Sequence, residues 1–218
     1  MSGEARGHGM SLRRRAAAHP DQLRFDLGDG AVQPARPPSD GDSVFFAIQP
    51  DPETATRAEE LARVQQCRHG LAGKLRPARV LHVSLVALGN YEALSRDAIA
   101  AACKAASTVQ VSRFVVALDH LRNFNNAEGY AVVLAGDDGV VGLMALYDAL
   151  DAAMRAVWPK RKGRSDIKPH MTLLYSPRMV PEVILDEPVT WTAREFVLVR
   201  SRNGQTRYER LGCWPLRG

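Results

Sequence analysis

The sequence predicts an α+β fold that is bilobal, with two pseudo-symmetric lobes, mostly antiparallel sheets and outer helices around a central cleft. Three observations favour this architecture. Strand-like and helix-like hydrophobic patterns alternate along residues 43–218. The two halves of this region follow a similar order of elements. Each half contains a strand that follows a helix and carries a histidine, one spacer and a hydroxyl residue. We therefore expect these two marked strands to lie side by side at the groove.

Residues 1–42 differ in composition from the rest of the chain. They are rich in glycine, proline, arginine and aspartate and show little hydrophobic periodicity. Pro34, Pro37 and Pro38, followed by Ser39-Asp40-Gly41, are typical of a linker. We predict a disordered tail over 1–42 and one two-lobed domain over 43–218, which is long enough to bury a sizeable core.

The first half of the domain begins with a buried strand at 44–48. Asp51 followed by Pro52 is typical of a helix start, and Gly70 or Gly73 ends that helix. The first marked strand spans 80–88. A helix with an alanine-rich inner face follows over 91–107.

The second half of the domain begins with strands at 110–121 and 129–135. Apolar residues at alternating spacings of four and three, from Leu143 to Val157, predict an amphipathic helix that Pro159 stops. The second marked strand spans 167–175. Strands at 189–201 and 206–214 complete the fold as a hairpin that turns at Asn203-Gly204.

The marked strands repeat one short motif, His82-Val83-Ser84 and His170-Met171-Thr172, with the histidines 88 residues apart. Residues two apart point to the same face of a strand, so each imidazole lies beside a hydroxyl while the alternate residues can pack a core. Two imidazoles that face each other across a cleft form a general acid and base pair that needs no metal. The alternative is two strand histidines that are satisfied by local hydrogen bonds.

Bulk composition limits the classes of function. No apolar run approaches the roughly 20 residues of a membrane span, and no apolar segment of a secretory signal follows Arg13-Arg14-Arg15. Cys67, Cys103 and Cys213 are odd in number and isolated, which argues against a disulfide framework or a zinc site and favours the reducing cytoplasm. We expect no metal, no other cofactor, no membrane partner and a monomer.

The net charge of +5 is modest, but positive residues gather around the second motif. Between Arg155 and His170, six basic residues stand against one acid, Asp166. A phosphate-bearing ligand would explain this distribution, because lysine and arginine dominate contacts to nucleic-acid backbones. A solvated loop and strand edge is the alternative interpretation.

The motifs carry a resemblance to a known family. The paired tripeptides resemble those of the two-histidine phosphoesterase superfamily, and within it the chain is most similar to bacterial RNA 2′,3′-cyclic phosphodiesterases, also called 2′–5′ RNA ligases. The supporting segments are 45–50, 81–85 and 168–173. The resemblance covers about residues 43–216 and leaves the N-terminal tail outside.

This resemblance implies metal-independent hydrolysis of RNA 2′,3′-cyclic phosphate ends to 2′-phosphates, with 2′–5′ RNA ligation as a related activity. One of His82 and His170 would deprotonate water or a hydroxyl, and the other would protonate the leaving oxygen. Ser84 and Thr172 would hydrogen-bond the non-bridging phosphate oxygens. Histidine suits both roles, since its ordinary pKa of about 6.5 allows one neutral and one charged copy near pH 7.

Two positions depart from the family pattern. Ser84 stands where threonine is usual and keeps the hydroxyl, whereas Tyr175 stands where an arginine often follows the second motif. If the strand is regular, Tyr175 faces away from His170. Lys168 shares the strand face of His170 and could supply a replacement cation; the alternative is an exposed charge in a basic loop.

His120 shares a strand face with apolar residues and is expected to be a strand-end histidine rather than a third catalyst.

Two other functions stay open. A two-histidine phosphodiesterase could act on a small phosphorylated nucleotide, such as a cyclic ADP-ribose phosphate or a 2′–5′ oligoadenylate. A non-catalytic RNA-binding module could have kept the cleft. The intact histidines and hydroxyls argue against this module, and the missing arginine argues for it.

Overall fold

A computed structural model of the chain describes residues 41–126, 129–161, 167–202 and 205–218. The predicted tail lies outside the described residues except for Gly41 and Asp42. The described part contains eight strands and three α-helices. In chain order these are β1 (Ser43–Ile48), α1 (Pro52–His69), β2 (Val83–Asn90), α2 (Arg96–Ala106), β3 (Phe114–Asn126), β4 (Gly129–Ala135), α3 (Val141–Val157), β5 (His170–Ser176), β6 (Val183–Ala193), β7 (Glu195–Arg202) and β8 (Arg207–Pro215).

All of these strands belong to one sheet with the order β6-β3-β4-β5-β2-β1-β7-β8. Every ladder between them is antiparallel. The inner strands β2 and β5 meet at a single register pair, Val83 with Met171. This thin junction divides the sheet into two four-stranded halves, and each half runs outward from its marked strand. The predicted α+β, two-lobed, mostly antiparallel fold is confirmed, with the two sheets joined into one.

The helices and one face of the sheet enclose the main core. α1 contacts β5 and β6, whereas α3 contacts β2 and β3 and packs on α2. This core takes its largest fully buried side chains from strands and helices alike, among them Phe46, Leu118, Leu134, Leu143 and Phe196. The opposite face, here called the cleft face, carries a smaller apolar cluster of Phe45, Ala47, Val197 and Val199.

Helix α1 begins and ends where capping chemistry requires. The Asp51 carboxylate accepts a hydrogen bond from the Thr54 amide at 2.9 Å, and Pro52 occupies the first turn. Gly70 ends the helix in the left-handed region at φ 57°, which a residue with a Cβ adopts only at a cost. Of the two glycines considered from the sequence, Gly70 is therefore the C-cap.

The strand predicted at 189–201 is two strands, and this prediction was wrong. Arg194 separates β6 from β7. Alternate residues are buried from Val189 through Ala193, but Phe196 breaks the alternation. β6 pairs with β3 at one edge of the sheet, whereas β7 pairs with β1 and β8 in the other half. The chain thus crosses between the lobes at Arg194.

Strand β7 does form the predicted hairpin with β8. Its proposed turn at Asn203-Gly204 lies outside the described residues. β3 runs further than predicted, to Asn126. α2 is shorter than predicted, because Ser95 caps it by accepting from the Ala98 amide at 3.0 Å.

Candidate active site

The two motif histidines lie at the starts of neighbouring strands. His82 directly precedes β2, and His170 is the first residue of β5. Between the two strands, Val83 pairs with Met171, and both are fully buried in the main core. The flanking side chains therefore project from the cleft face. Because antiparallel partners run in opposite directions, each imidazole falls opposite the hydroxyl of the other motif.

Both imidazoles make the same backbone contact. Nδ1 of His82 lies 2.9 Å from the carbonyl oxygen of Val80, and Nδ1 of His170 lies 2.8 Å from that of Lys168. A carbonyl oxygen only accepts, so each Nδ1 carries a proton and donates it. In the neutral ring Nε2 is then left without a proton, and it can accept one from a substrate or water.

His82 is enclosed by aromatic side chains and a buried cation. Its ring centroid lies 5.1 Å from that of Phe45 and 5.2 Å from that of Tyr208, which meets it edge-on. The Tyr208 hydroxyl is 3.2 Å from Nδ1 of His82 and accepts a hydrogen bond from Nη2 of Arg76 at 2.8 Å. Arg76 is only 5% exposed. A buried guanidinium thus reaches the imidazole through one phenol oxygen.

His170 has a different neighbour. The ring of Phe124 on β3 meets it edge-on, with centroids 4.8 Å apart. Phe124 also lines an open pocket of about 550 Å³, whose walls include Lys168 and Met179. Lys168 is exposed and precedes β5, so it does not share a strand face with His170 as predicted; its side chain lines the same pocket as Phe124.

Burial lowers the pKa of both histidines. The pKa of His82 falls to about 3, mainly through burial, with the charges of Arg76 and His170 adding to the effect and the Val80 carbonyl opposing it. Burial lowers the pKa of His170 to about 4, opposed by the Lys168 carbonyl. In the free protein both rings are therefore neutral at pH 7, which differs from the expected pair of one neutral and one charged ring. A phosphate anion between them would raise both pKa values.

The two motif hydroxyls occupy the same region. Ser84 Oγ is buried without a hydrogen-bond partner among the described residues. Thr172 is half-buried and pairs with Val133 on β4. A buried hydroxyl that lacks a partner costs free energy, so its presence needs an explanation, and a ligand oxygen would supply one.

Tyr175 was expected to face away from His170 if the second marked strand is regular, and β5 is not regular. Leu173 and Leu174 are both fully buried in the main core. The register with β4 shifts at Val132 and Val133, so the alternation along β5 is interrupted there. Beyond this irregularity Tyr175 returns to the face that Thr172 occupies.

The prediction for His120 was wrong in its position. β3 continues to Asn126, so His120 is not at the strand end. Leu118 and Leu121 are both fully buried, and His120 between them lies on the cleft face instead of the apolar one. Its Nδ1 is 2.5 Å from a carboxylate oxygen of Asp119, and its Nε2 is 3.8 Å from one of Asp137.

Sequence reasoning missed four neighbours of the imidazoles: Phe45, Arg76, Phe124 and Tyr208. Phe45 lies in a segment that supports the family resemblance, and its strand position was predicted. Arg76 and Tyr208 are 132 residues apart, so no local pattern connects them. Only the pairing of β8 with β7 carries Tyr208 to the cleft.

The described ranges contain no group of three or more histidine, cysteine, aspartate or glutamate side chains placed to hold a metal ion. None of the helices in these ranges combines the length and the apolar character that a membrane crossing requires.

Solved structures of other proteins share this fold. A crystal structure of a phosphoesterase is 24% identical, with 81% of this chain and 99% of that chain covered and a TM-score of 0.64. The protein TT0787 of Thermus thermophilus is 21% identical, with 81% and 98% covered and a TM-score of 0.67. E. coli LigT complexed with 3′-AMP is 24% identical, with 81% and 99% covered and a TM-score of 0.62. A search of curated proteins found no match.

A family model gives the more specific result. The model of the 2′-5′ RNA ligase superfamily matches residues 34–205, a range that includes both histidine motifs and most of the sheet. The chain belongs to the 2′-5′ RNA ligase superfamily.

Proposed function

We propose that the chain is a metal-independent phosphodiesterase that hydrolyses RNA 2′,3′-cyclic phosphate ends to 2′-phosphates. One observation carries this proposal. Two imidazoles with the same Nδ1-to-carbonyl contact stand at the starts of adjacent strands, on one face of the sheet. The pair can therefore supply a proton acceptor and a proton donor on opposite sides of one phosphorus atom.

The reaction needs no redox partner. Nε2 of one histidine takes a proton from water while the water oxygen bonds to phosphorus. The other histidine enters this step protonated at Nε2 as well, because the bound phosphate anion raises its pKa. As the bond from phosphorus to the 3′ oxygen breaks, this histidine donates its Nε2 proton to that oxygen and becomes neutral. The products are a 2′-phosphomonoester and a free 3′ hydroxyl. If a 5′ hydroxyl of a second RNA replaces water, the same step forms a 2′–5′ linkage.

The motif hydroxyls would act on the phosphate itself. Ser84 and Thr172 would donate hydrogen bonds to the non-bridging oxygens, where negative charge grows in the transition state. Hydroxyls do this without adding a charge that would disturb both imidazoles. Lys168, which lines the same pocket as Phe124, would add a cation near the bound phosphate.

A small nucleotide is the second candidate substrate. E. coli LigT has been crystallised with 3′-AMP, with NADP⁺ and with ATP. These complexes support a nucleotide ligand of some kind for the present chain. Cys67, Cys103 and Cys213 are all free thiols, in keeping with the reducing cytoplasm that we propose as its compartment. We also propose that the chain acts as a monomer.

The test is incubation with an oligonucleotide that ends in a 2′,3′-cyclic phosphate, in the presence of EDTA. Phosphorus NMR distinguishes the cyclic phosphate from the 2′- and 3′-monoesters. We expect a 2′-phosphate as the sole product. Absence of turnover, or turnover only after metal is added, would contradict the proposal.

Variants of the histidines connect the activity to the site. His82→Ala and His170→Ala should each lower kcat by about a hundredfold or more, the usual contribution of a general acid or base. Circular dichroism and thermal melting check that each variant is folded. Full activity in either variant would remove that histidine from the mechanism. RNA binding by the wild type without turnover would favour a binding module, and turnover of small nucleotides alone would favour the second substrate class.

A further inference from the structure

A second pocket lies near His82 and shares Tyr208 with the surroundings of that imidazole. It has a volume of about 930 Å³ and lies between the end of β1, the start of α1, the turn before β2 and strand β8. Val80, Leu81 and Tyr208 form part of its wall. Since the Tyr208 hydroxyl also lies 3.2 Å from Nδ1 of His82, one side chain borders both the pocket and this imidazole.

Arginine dominates the charge of this pocket. Four arginines line it, against the two acidic residues Asp51 and Glu195. Both acids are already engaged within the protein. Asp51 caps α1 through Thr54, with contacts of 2.9 and 3.0 Å, and Glu195 lies 3.3 Å from Arg210.

The other three arginines of the pocket are available to a ligand. Arg79, Arg194 and Arg207 are exposed, and their side chains make no hydrogen bond or ion pair within the described ranges. They come from three separate parts of the chain, namely the turn before β2, the crossing between β6 and β7, and the start of β8. Three unpaired guanidinium groups around one concave surface make a site for an anion, and guanidinium groups match phosphate by paired hydrogen bonds.

We propose that this pocket binds a second phosphate of the substrate, next to the phosphate that reacts. The inference rests on the proposed function and makes it more specific. A cyclic mononucleotide without another phosphate leaves the pocket empty. A substrate with an additional phosphate, either the internucleotide phosphate of RNA or the terminal phosphate of a small nucleotide, fills it and gains affinity.

The experiment compares kcat/KM for three substrates that react at the same cyclic phosphate. These are adenosine 2′,3′-cyclic phosphate, its 5′-phosphorylated form, and the dinucleotide ApA with a terminal 2′,3′-cyclic phosphate. A charge-assisted hydrogen bond predicts a preference of about tenfold or more for substrates with a second phosphate. The dinucleotide and the 5′-phosphorylated mononucleotide distinguish the two sources of that phosphate. The preference should fall as salt rises.

The variant Arg194→Gln/Arg207→Gln tests the assignment to this pocket. The ratio of kcat/KM between the dinucleotide and the cyclic mononucleotide should fall from about ten to about one. Arg68→Gln removes one positive charge from the exposed end of α1, away from the pocket, and should keep the wild-type ratio. Thermal melting confirms that the variants are folded.

Three results would overturn the inference: a wild-type ratio near one, an equal loss for both substrates in the double variant, or an equal change in Arg68→Gln. Failure of the proposed function is distinguishable from all three, because no substrate would then be turned over. In that event the dissociation constants of 2′-AMP and of ApA with a terminal 2′-phosphate decide the subsite. Tighter binding of the dinucleotide, lost in the double variant, supports it, and equal binding rejects it.

Discussion

The two imidazoles make the same kind of backbone contact but lie in different environments. Each donates its Nδ1 proton to the carbonyl two residues earlier, so the local backbone of each motif sets the tautomer. Around His82 the additional Tyr208 hydroxyl offers a second acceptor to the same proton, and Arg76 holds that hydroxyl in place. Tyr208 is therefore a positioning residue for His82.

Tyr208→Phe isolates this positioning effect, because it removes the hydroxyl and keeps the ring that packs on His82 and Phe45. We expect kcat to fall about tenfold to a hundredfold, as small misplacements of a catalytic group do, with little change in KM. Nitrogen NMR of the His82 ring should show the same Nδ1-protonated tautomer, which the Val80 carbonyl holds, but with a shifted Nδ1 resonance because the second acceptor is gone. The matched control is Tyr91→Phe, because Tyr91 stacks under Arg200. An unchanged spectrum and an unchanged kcat would show that the hydroxyl does not act on His82.

The motif residues illustrate what sequence reasoning can find. Spacing of two along a strand was enough to pair His82 with Ser84 and His170 with Thr172, because strand geometry fixes which side chains share a face. Arg76 could not be found in this way, since its contact with the cleft depends on a strand at the other end of the chain. The lowered pKa values of His82 and His170 could not be predicted either, because burial is a property of the assembled cleft.

Ser84 allows stability and activity to be separated. Its Oγ is buried without a partner in the described structure, so Ser84→Ala removes an unsatisfied group and should leave the free energy of unfolding equal or slightly higher. The same change removes a donor to the phosphate, and kcat should fall about a hundredfold to a thousandfold. Urea unfolding and steady-state kinetics measure the two effects.

Ser84→Thr is the control for that prediction. It restores the residue type of the second motif and keeps the hydroxyl, so most of the activity should remain. If Ser84→Ala retained full activity, or if it lost activity together with stability, the hydroxyl would have no direct role at the phosphate.

At the scale of elements, the connection from α1 to β2 is pressed closely against β5. Leu75 forms a bridge with Leu174, and the Arg76 amide donates to the Leu173 carbonyl at 2.7 Å. Gly73 approaches the β5 backbone so closely that an added Cβ would lie 1.6 Å from the Tyr175 carbonyl oxygen. The glycine therefore lets this connection bring Arg76 beside both motif strands.

Gly73→Ala should push the connection away from β5. Because the clash is with backbone atoms, a side-chain movement cannot relieve it, and we expect a loss of about 1–3 kcal/mol in the free energy of unfolding. Activity should fall as well, since Arg76 moves with the connection. Ala72→Ser, at an exposed neighbouring position, should change the free energy by less than about 0.5 kcal/mol. Wild-type stability in Gly73→Ala would show that the connection adapts without cost.

The elements also show what hydrophobic periodicity can and cannot predict. The amphipathic pattern placed α3 well, because its apolar stripe faces a core on one side only. The pattern from Val189 to Ser201 was predicted as one strand, although the alternation of buried residues shifts by one at Phe196. Such a shift signals a bend or a break, but only the pairing of β6 with β3 and of β7 with β1 shows that the chain changes lobes.

At the scale of the whole molecule, the buried histidines couple stability to pH. Their pKa values are about 3 and about 4 in the folded state, against about 6.5 in the unfolded chain. Between pH 6.5 and 4 the unfolded state therefore binds more protons than the folded state. Stability then rises with pH and falls as the solution is acidified. Each histidine contributes a slope of about 1.4 kcal/mol per pH unit in this window.

The double variant His82→Asn/His170→Asn removes both of these groups and should flatten the dependence on pH. We expect the free energy of unfolding in urea to fall from pH 6.5 to pH 4.5 by several kcal/mol less in the variant than in the wild type. Comparison within one protein pair cancels the contribution of the carboxylates. His69→Asn, at the end of α1 away from the cleft, is the matched control. An equal dependence of the free energy on pH in the wild type and the double variant would mean that the imidazoles take up protons in the folded state as readily as in the unfolded chain. That result would contradict a cleft that keeps both rings neutral until an anion binds.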